Sequence, residues 1–218
     1  MNKLHMKYFL VLTLFVITSF VSAQDVAVLH YKGGGDWYSN PTSLPNLVKY
    51  CNTHINTRIN TDVQTVETAS LDIFQFPFIH MTGHGNVFFD DNDKTNLKNY
   101  LISGGFLHID DNYGLKPYIT KALKDVFPEQ DLIELPATHE IFQKPNSFPE
   151  GLPKIHEHDG KRPQASALFH NGRMIVLFTT ESDLGDGWED PEVHNDPEDV
   201  REKALKMGAN IIYYVFNH

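Results

Sequence analysis

Short apolar runs that alternate with helical patterns constrain the fold of this chain more than any other feature of its sequence. Runs typical of buried strands occupy residues 25–31, 76–82 and 106–110, and each is followed by apolar residues at helical spacing. Alternation of this kind joins parallel strands through crossover helices. We therefore predict that the first half of the chain folds as a doubly wound α/β sheet with mostly parallel strands.

The second half of the chain follows a different pattern. Two apolar runs between residues 165 and 180 flank Asn171-Gly172, a dipeptide that is the strongest short signal for a β-hairpin. The segment 197–217 begins with proline and has apolar residues at helical spacing, which predicts a long amphipathic helix laid on the sheet. The predicted parallel sheet is thus extended by a C-terminal hairpin.

The first 23 residues have the composition of a secretory signal peptide. Two lysines precede an uncharged, mostly apolar run from Tyr8 to Val21, and Val21-Ser22-Ala23 is a small-residue cleavage signal. The apolar run is shorter than the ~20 residues of a membrane-spanning helix. We predict cleavage after Ala23, export of residues 24–218 as a single domain to the periplasm or the extracellular space, and no membrane insertion of the mature chain.

Charge and cysteine content argue against several classes of protein. Removal of the leader would also remove Lys3 and Lys7, which leaves 16 basic against 28 acidic residues and a formal net charge of −12. A chain this acidic is not expected to bind nucleic acid or an anionic membrane. Cys51 is the only cysteine, so no internal disulfide can form, and its apolar neighbours at helical spacing predict that it is buried. The sequence leaves the oligomeric state open.

Candidate functional residues follow the predicted strands. In an open parallel sheet, ligands bind beyond the carboxyl ends of the strands, because loops and helix N-termini converge there. Four segments meet this criterion, namely 81–86, 108–114, 135–142 and 179–190. They supply the ligand-binding candidates Gly83, His84, Gly85, Asp110, Asp111, Asn112, Asp183 and Trp188, and the catalytic candidates His84, Asp110 and His139.

The candidates have different expected roles. Asp110 and Asp111 could each cap the next helix, but only one of them can do so, and neighbouring side chains on a strand point apart. We therefore expect one aspartate to face the pocket and the other to fix the turn. Trp188 lies among acidic residues and is expected at the pocket rim, with an apolar face for stacking, and a position in the core is the alternative. His84 and His139 also have structural alternatives, as a turn residue and a helix-start residue.

Three other sequence features give weaker signals. His156 and His158 lie in KIHEHDGK, but zinc needs three or four ligands and no third donor has a diagnostic spacing, so no metal ligand is assigned. The glycine run 33–35 lacks the P-loop and dinucleotide-binding patterns. A G-x-S-x-G elbow is absent, which argues against an α/β-hydrolase triad. The sequence requires no cofactor, although it is compatible with a divalent metal.

Five segments together resemble a known family. They are MTGHG, YLISGGFLHIDDNYG, LKDVFPEQDLIELPATHEIF, NGRMIVLFTTESDLGDGWE and MGANIIYYV, in this order. The chain is similar to the bacterial domain of unknown function 4159 family, which has a class I glutamine-amidotransferase-like fold. The resemblance implies a flavodoxin-like three-layer sandwich over nearly the whole mature chain and leaves the activity unassigned.

Comparison with the amidotransferases themselves argues against glutamine hydrolysis. Those enzymes carry a nucleophilic cysteine at a strand-to-helix elbow. This chain has His84 and the Asp110-Asp111 pair at the corresponding elbows, whereas Cys51 lies on the first predicted helix.

Three functions are compatible with the sequence. The first is an exported module that binds a small polar molecule, sugar-like or cationic, in a pocket at the carboxyl ends of the strands. The second is a hydrolase that uses a histidine and a carboxylate, with or without a divalent metal held by His84, Asp110 and His139. The third is a structural subunit of a cell-envelope assembly. Whether the chain is an enzyme is therefore left open.

Overall fold

A seven-stranded sheet forms the centre of the computed structural model, which describes residues 24–218. The predicted signal peptide, residues 1–23, lies outside the described residues. The strands are β1 (Val26–His30), β2 (Gln64–Glu67), β3 (Phe78–Gly83), β4 (Phe106–Asp111), β5 (Ile133–Glu134), β6 (Gln164–His170) and β7 (Arg173–Thr180). Their order across the sheet is β2-β1-β3-β4-β7-β6-β5.

Helices cover both faces of this sheet. They are α1 (Ser43–His54), α2 (Asp91–Ile102), α3 (Lys116–Val126), α4 (Leu184–Trp188), α5 (Pro191–His194) and α6 (Glu198–Asn217), with short 3-10 helices at Leu71–Gln75 and Glu140–Phe142. Helices α2 and α3 pack on one face, whereas α1, α4 and α6 pack together on the other. Among the described residues, no helix combines the length and apolar character needed to cross a membrane.

The strand directions confirm the predicted fold class. Strand β1 pairs in parallel with β2 and β3, and the parallel pairing continues from β3 to β4 and from β4 to β7. Strands β6 and β7 form the predicted antiparallel hairpin. Asn171 and Gly172 join them with φ angles of 49° and 81°, the left-handed pair that a tight hairpin turn requires. The result is a three-layer α/β sandwich with a mostly parallel sheet.

The central strands are apolar on both faces because both faces are covered. Phe78 and Phe106 belong to the core beneath α1, α4 and α6, whereas Ile79 and Leu107 belong to the core beneath α2 and α3. Strands buried on two sides give continuous apolar runs in the sequence. Polar side chains near the carboxyl ends of these strands are therefore buried as well. These side chains form the centre of the candidate site.

Cys51 lies in α1 and is fully buried, as predicted. Burial raises the pKa of its thiol to about 12. A thiol in this state is neither accessible nor ionised near neutral pH, so Cys51 behaves as a small apolar core residue.

Candidate functional site

Polar side chains meet where β3, β4 and β7 end. Thr82, Asp110 and Thr179 lie at these ends and are buried on the face covered by α1, α4 and α6. Two further segments close over them: the stretch before α1, through Asn40, and the stretch around α4, through Asp186. Five separate parts of the chain thus contribute to this edge of the sheet.

Asp110 is fully buried at the centre of this edge. Its Oδ1 accepts a hydrogen bond from Thr179 Oγ1 at 2.5 Å, and its Oδ2 accepts one from the backbone N–H of Gly185 at 2.6 Å. Burial raises the pKa of Asp110 to about 7, and the nearby charges of Asp183 and Asp186 act in the same direction. Near neutral pH, this carboxyl group therefore exists in both protonated and ionised forms.

Asp111 points to the opposite face of the sheet. Its carboxylate accepts hydrogen bonds from the backbone N–H groups of Leu115 at 2.7 Å and Lys116 at 3.2 Å, at the start of α3. Strand alternation separates the two aspartates, since consecutive side chains face opposite sides. Asp110 therefore faces the polar edge residues, while Asp111 fixes the turn into α3.

An amide layer connects the end of β3 to α4. Thr82 Oγ1 donates to Asn112 Oδ1 at 2.9 Å, and Asn112 Nδ2 donates to Asn40 Oδ1 and, at 3.2 Å, to Asp186 Oδ1. Asn40 Nδ2 also donates to Asp186 Oδ1, at 2.5 Å. The sequence candidate Asn112 thus holds two segments of the site together.

Histidines surround Asp186 on its other side. His156 Nδ1 lies 3.0 Å from Asp186 Oδ2, and His156 Nε2 lies 3.0 Å from Asp196 Oδ1. His194 Nε2 is 3.8 Å from Asp186 Oδ1. The hydrogen bond with Asp186 raises the pKa of His156 to about 9. We call His156, Asp186 and His194 the metal-ligand cluster, because one donor atom from each lies within 4.8 Å of the others.

Asp183 lies beside the metal-ligand cluster. Its backbone has the left-handed φ of 61°, and its side chain is 1% exposed. His158 Nε2 contacts Asp183 Oδ2, whereas Asp183 Oδ1 is buried without a hydrogen-bond partner among the described residues. Burial raises the pKa of Asp183 to about 6.

A pair of fully buried histidines lies deeper in the sheet. His80 and His108 are direct neighbours in the register of β3 and β4, and their Nδ1 atoms are 3.1 Å apart. His108 Nε2 is 3.1 Å from Thr179 Oγ1, which in turn donates to Asp110. Burial lowers the pKa of His80 to about 3 and that of His108 well below its ordinary value. Both rings are therefore neutral near neutral pH.

A cavity of about 180 Å³ lies between the sheet and the start of α1, and we call it the switch-point cavity. It adjoins β1 and β3, where the strand order reverses, which is the position at which open α/β sheets bind ligands. Trp37 and Tyr38 contribute aromatic faces, and the ring of His80 forms part of its wall. His80 Nε2, on the far side of the ring from His108, is buried without a hydrogen-bond partner among the described residues.

The loop after β3 pairs His84 with Asp36. His84 Nδ1 lies 2.9 Å from Asp36 Oδ2, and the His84 backbone N–H also donates to Asp36. Gly83 and Gly85 have φ angles of 136° and 75°, which glycine adopts without strain. A Cβ on Gly83 would also collide with the Tyr31 hydroxyl, so this position needs glycine for space as well.

His139 lies at a different part of the fold from the other catalytic candidates. Its Nδ1 caps the short helix Glu140–Phe142, and its ring packs against Tyr214. Tyr214 is ten residues, or about 15 Å of helix rise, beyond Ala204, the α6 residue that contacts Trp188. The expected metal set of His84, Asp110 and His139 is therefore wrong, because the chain leaves the polar edge after β5.

Trp188 is also placed differently from the expectation. It is fully buried, and its Nε1 donates to the backbone carbonyl of Ala204 at 2.8 Å. The ring packs near His80 and His108, at centroid distances of 5.3 and 5.7 Å. The expected rim position is wrong, because the turn at α4 carries the indole inward, and Trp188 cannot stack on a ligand.

Sequence reasoning missed two features of the site. His156 was considered and set aside because its partners Asp186 and His194 are 30 and 38 positions further along the chain. His80 and His108 each lie in an apolar run near the end of a predicted strand, but neither is among the predicted site residues. Their matching positions on two consecutive parallel strands are the signal that could have identified them as a buried pair.

Comparison with known proteins gives a family and no activity. A family model with the description "Domain of unknown function (DUF4159)" matches residues 25–216. A search of curated proteins found no match.

Proposed function

The chain belongs to the family described as Domain of unknown function (DUF4159), and we propose that this member binds a small, neutral, sugar-like molecule in the switch-point cavity. The observation that carries the proposal is His80, a residue of the cavity wall whose buried Nε2 has no hydrogen-bond partner among the described residues. Such an unpaired group costs about 1–3 kcal/mol. A ligand that bonds to it would recover this free energy.

A hydroxyl group is the natural partner for His80. Thr179 donates its single hydroxyl proton to Asp110, so His108 Nε2 donates to Thr179 Oγ1, and the neutral His108 ring accepts at Nδ1 from His80 Nδ1. His80 Nε2 is therefore an acceptor. A ligand hydroxyl can donate to it.

The cavity wall favours a neutral ligand over a cation. Its residues carry no formal charge near neutral pH: they are Val28, Trp37, Tyr38, Asn40, Pro41, Pro45, Val63, Gln64, Thr65, His80 and Thr82. Aromatic faces combined with amide and hydroxyl groups suit the apolar and polar surfaces of a sugar ring. At about 180 Å³ the cavity is smaller than the ~300 Å³ of a typical drug-sized site, so the ligand is a single small unit.

A larger cleft of about 640 Å³ lies between α2 and α3, and it supports ligand binding less well. Its polar lining includes the exposed charged side chains of Asp91, Lys121 and Asp125. Exposed charges of this kind are satisfied by water, so no buried group there requires a ligand.

The ligand proposal predicts a specific pattern of thermal stabilisation. We expect neutral monosaccharides and polyols to include compounds that raise the unfolding temperature, whereas small amines do not. A ligand present at 100 times its dissociation constant adds about 2.7 kcal/mol to the free energy of unfolding. Differential scanning calorimetry of the protein with each compound measures this effect, and quenching of Trp37 fluorescence reports binding at the cavity.

Two tyrosine variants locate the binding. Tyr38 is 65% exposed and lines the switch-point cavity, whereas Tyr118 is 44% exposed and lines the larger cleft. We expect Tyr38→Ala to weaken binding of a neutral compound roughly tenfold, as loss of an aromatic contact does, while Tyr118→Ala leaves the affinity unchanged. Stabilisation by amines alone, or loss of binding only in Tyr118→Ala, would refute the proposal.

The binding protein that we propose is also exported, because residues 1–23 have the composition of a cleaved leader. We expect the chain expressed from its full sequence in a bacterium to reach the periplasm or the medium with Gln24 as its first residue. N-terminal sequencing of the protein from each cell fraction measures this. A cytoplasmic chain that retains Met1 would contradict the proposed export.

A further inference from the structure

The donor atoms of the metal-ligand cluster already have nearly the spacing of a metal site. His156 Nδ1 and Asp186 Oδ2 are 3.0 Å apart, and His194 Nε2 and Asp186 Oδ1 are 3.8 Å apart. Ligand bonds of ~2.0–2.1 Å in tetrahedral geometry put neighbouring donors roughly 3.3 Å apart. Small side-chain rotations would therefore suffice to direct these three groups at one ion.

His156 also has the supporting contact that metal-bound histidines usually have. Its Nε2 lies 3.0 and 3.1 Å from the two carboxylate oxygens of Asp196. A histidine ligand typically donates its second ring N–H to a carboxylate, which fixes the tautomer and the ring orientation. When a metal ion replaces the Nδ1 proton of His156, the Asp196 contact holds the remaining proton on Nε2, and Nδ1 becomes the ligand atom on the side of Asp186.

Asp183 supplies independent support for a cation at this position. Its Oδ1 is buried and has no hydrogen-bond partner among the described residues, and its Oδ2 lies 3.7 Å from His156 Nδ1. On the other side, Glu189 Oε2 lies 3.7 Å from His194 Nε2. Several buried carboxylates this close together destabilise the folded protein unless a cation neutralises them, because each carboxylate loses its hydration on burial.

From these contacts we propose that His156, Asp186 and His194 bind one zinc ion, with Asp183 as a fourth ligand. Two imidazole nitrogens together with carboxylate oxygens suit zinc and related first-row ions, whereas Ca²⁺ and Mg²⁺ prefer sites made of oxygen alone. Asn40 lines the switch-point cavity and donates to Asp186, so the zinc site adjoins that cavity. The zinc proposal rests on other residues, however, and does not depend on the proposed sugar-like ligand.

The first experiment is titration of the metal-free protein with zinc chloride by isothermal calorimetry. The full mature chain is used after removal of any purification tag and dialysis against a chelator. We expect about one zinc per chain and much weaker binding of calcium or magnesium. Absence of stoichiometric zinc binding, or tighter binding of calcium than of zinc, would overturn the proposal.

A histidine variant with a matched control assigns the ligands. His194→Ala removes a partly exposed ligand on the short helix α5, and His54→Ala removes an exposed histidine at the far end of α1. We expect the zinc affinity to fall at least 10- to 100-fold in His194→Ala and to stay at the wild-type value in His54→Ala. An unchanged affinity in His194→Ala would overturn the assignment.

Two readouts separate loss of a ligand from loss of structure. The unfolding temperature of metal-free His194→Ala should equal that of the metal-free wild type, because His194 supports no buried core. Cobalt in place of zinc should give visible absorption bands in the wild type that are lost in His194→Ala. Tyr38→Ala should keep the wild-type zinc affinity, so failure of the ligand proposal and failure of the zinc proposal can be told apart.

Discussion

Replacement of Trp188 by alanine should lower the free energy of unfolding by about 3–5 kcal/mol, because it removes one of the largest fully buried side chains. The indole fills the space between His80 and His108 on the sheet and Gly208 on α6. A Cβ on Gly208 would lie only 2.9 Å from the Trp188 ring, so the two residues fit each other closely. Surroundings packed this tightly collapse little into the cavity that alanine would leave.

Urea denaturation followed by far-UV circular dichroism measures this effect without relying on the fluorescence of the removed residue. The matched control is Trp188→Phe, which keeps most of the apolar volume but loses the hydrogen bond from Nε1 to Ala204. We expect that variant to lose about 1–3 kcal/mol, since it loses a buried hydrogen bond and part of the indole volume. A loss under about 1 kcal/mol in Trp188→Ala would show that α4 is not part of the cooperative core.

The same change should also disturb the metal-ligand cluster. Asp183 and Asp186 lie on the segment that leads into Trp188, and α4 packs against both α1 and α6. The buried indole therefore anchors the loop that carries the acidic groups. Zinc affinity in Trp188→Ala should fall together with stability, whereas in His194→Ala only the affinity should fall.

Local sequence patterns were sufficient to predict the central strands, the final hairpin and the long helices, because each of these elements is determined by neighbours within a few residues. The short elements β5, α4 and α5 were not predicted. The alternation of side chains along a strand also separates Asp110 from Asp111, so that Asp111 alone fixes the turn into α3. Such properties depend on the backbone period and need no knowledge of the tertiary contacts.

The errors arose where a residue's role depends on distant parts of the chain. Trp188 has acidic neighbours in sequence and was placed at the rim, but its neighbours in space are His80, His108 and Gly208. His139 follows a strand, as the site criterion requires, yet the chain turns away from that edge and packs His139 near Tyr214. Local composition cannot distinguish these outcomes.

The metal-ligand cluster shows the same limit in a different form. His156 lies in a loop, Asp186 in α4 after the hairpin, and His194 in α5. Zinc sites that are recognisable from sequence have ligands at short, regular spacings. These three ligands come from separate elements, so only the folded chain reveals that they are neighbours.

Acidification below about pH 6.5 should remove stability that the buried pair His80 and His108 contributes to the folded protein. In the folded state, burial lowers the pKa of His80 to about 3 and that of His108 well below its ordinary value, so neither ring accepts a proton in mild acid. In the unfolded chain both rings accept a proton below about pH 6.5. The unfolded state then binds more protons, and the stability that is fully present above this pH is lost as the pH falls.

The expected loss is about 1.4 kcal/mol per pH unit for each histidine, or roughly 3 kcal/mol per unit for the pair. Asp110 and Asp183 act in the opposite direction, since their pKa values are raised to about 7 and about 6 and protonation favours the folded state as the pH falls below those values. The two carboxyl groups therefore offset much of the loss from the histidine pair in the wild type. His156, whose pKa is raised to about 9, adds no slope below about pH 6.5 because it is protonated in both states.

Comparison of the pH dependence of stability in the wild type and in a histidine variant separates the contribution of the pair from those of these other groups. Urea denaturation of the wild type and of His108→Gln, at several values between about pH 6 and pH 4.5, supplies the comparison. Glutamine keeps a polar side chain beside His80 and Thr179 but does not titrate, so the slope should fall by about 1.4 kcal/mol per pH unit. His54→Gln, at the exposed end of α1, controls for the loss of a histidine that lies outside the core. Equal slopes in the wild type and His108→Gln would mean that His108 gains its proton without unfolding, and the neutral pair would then be the wrong description of this core.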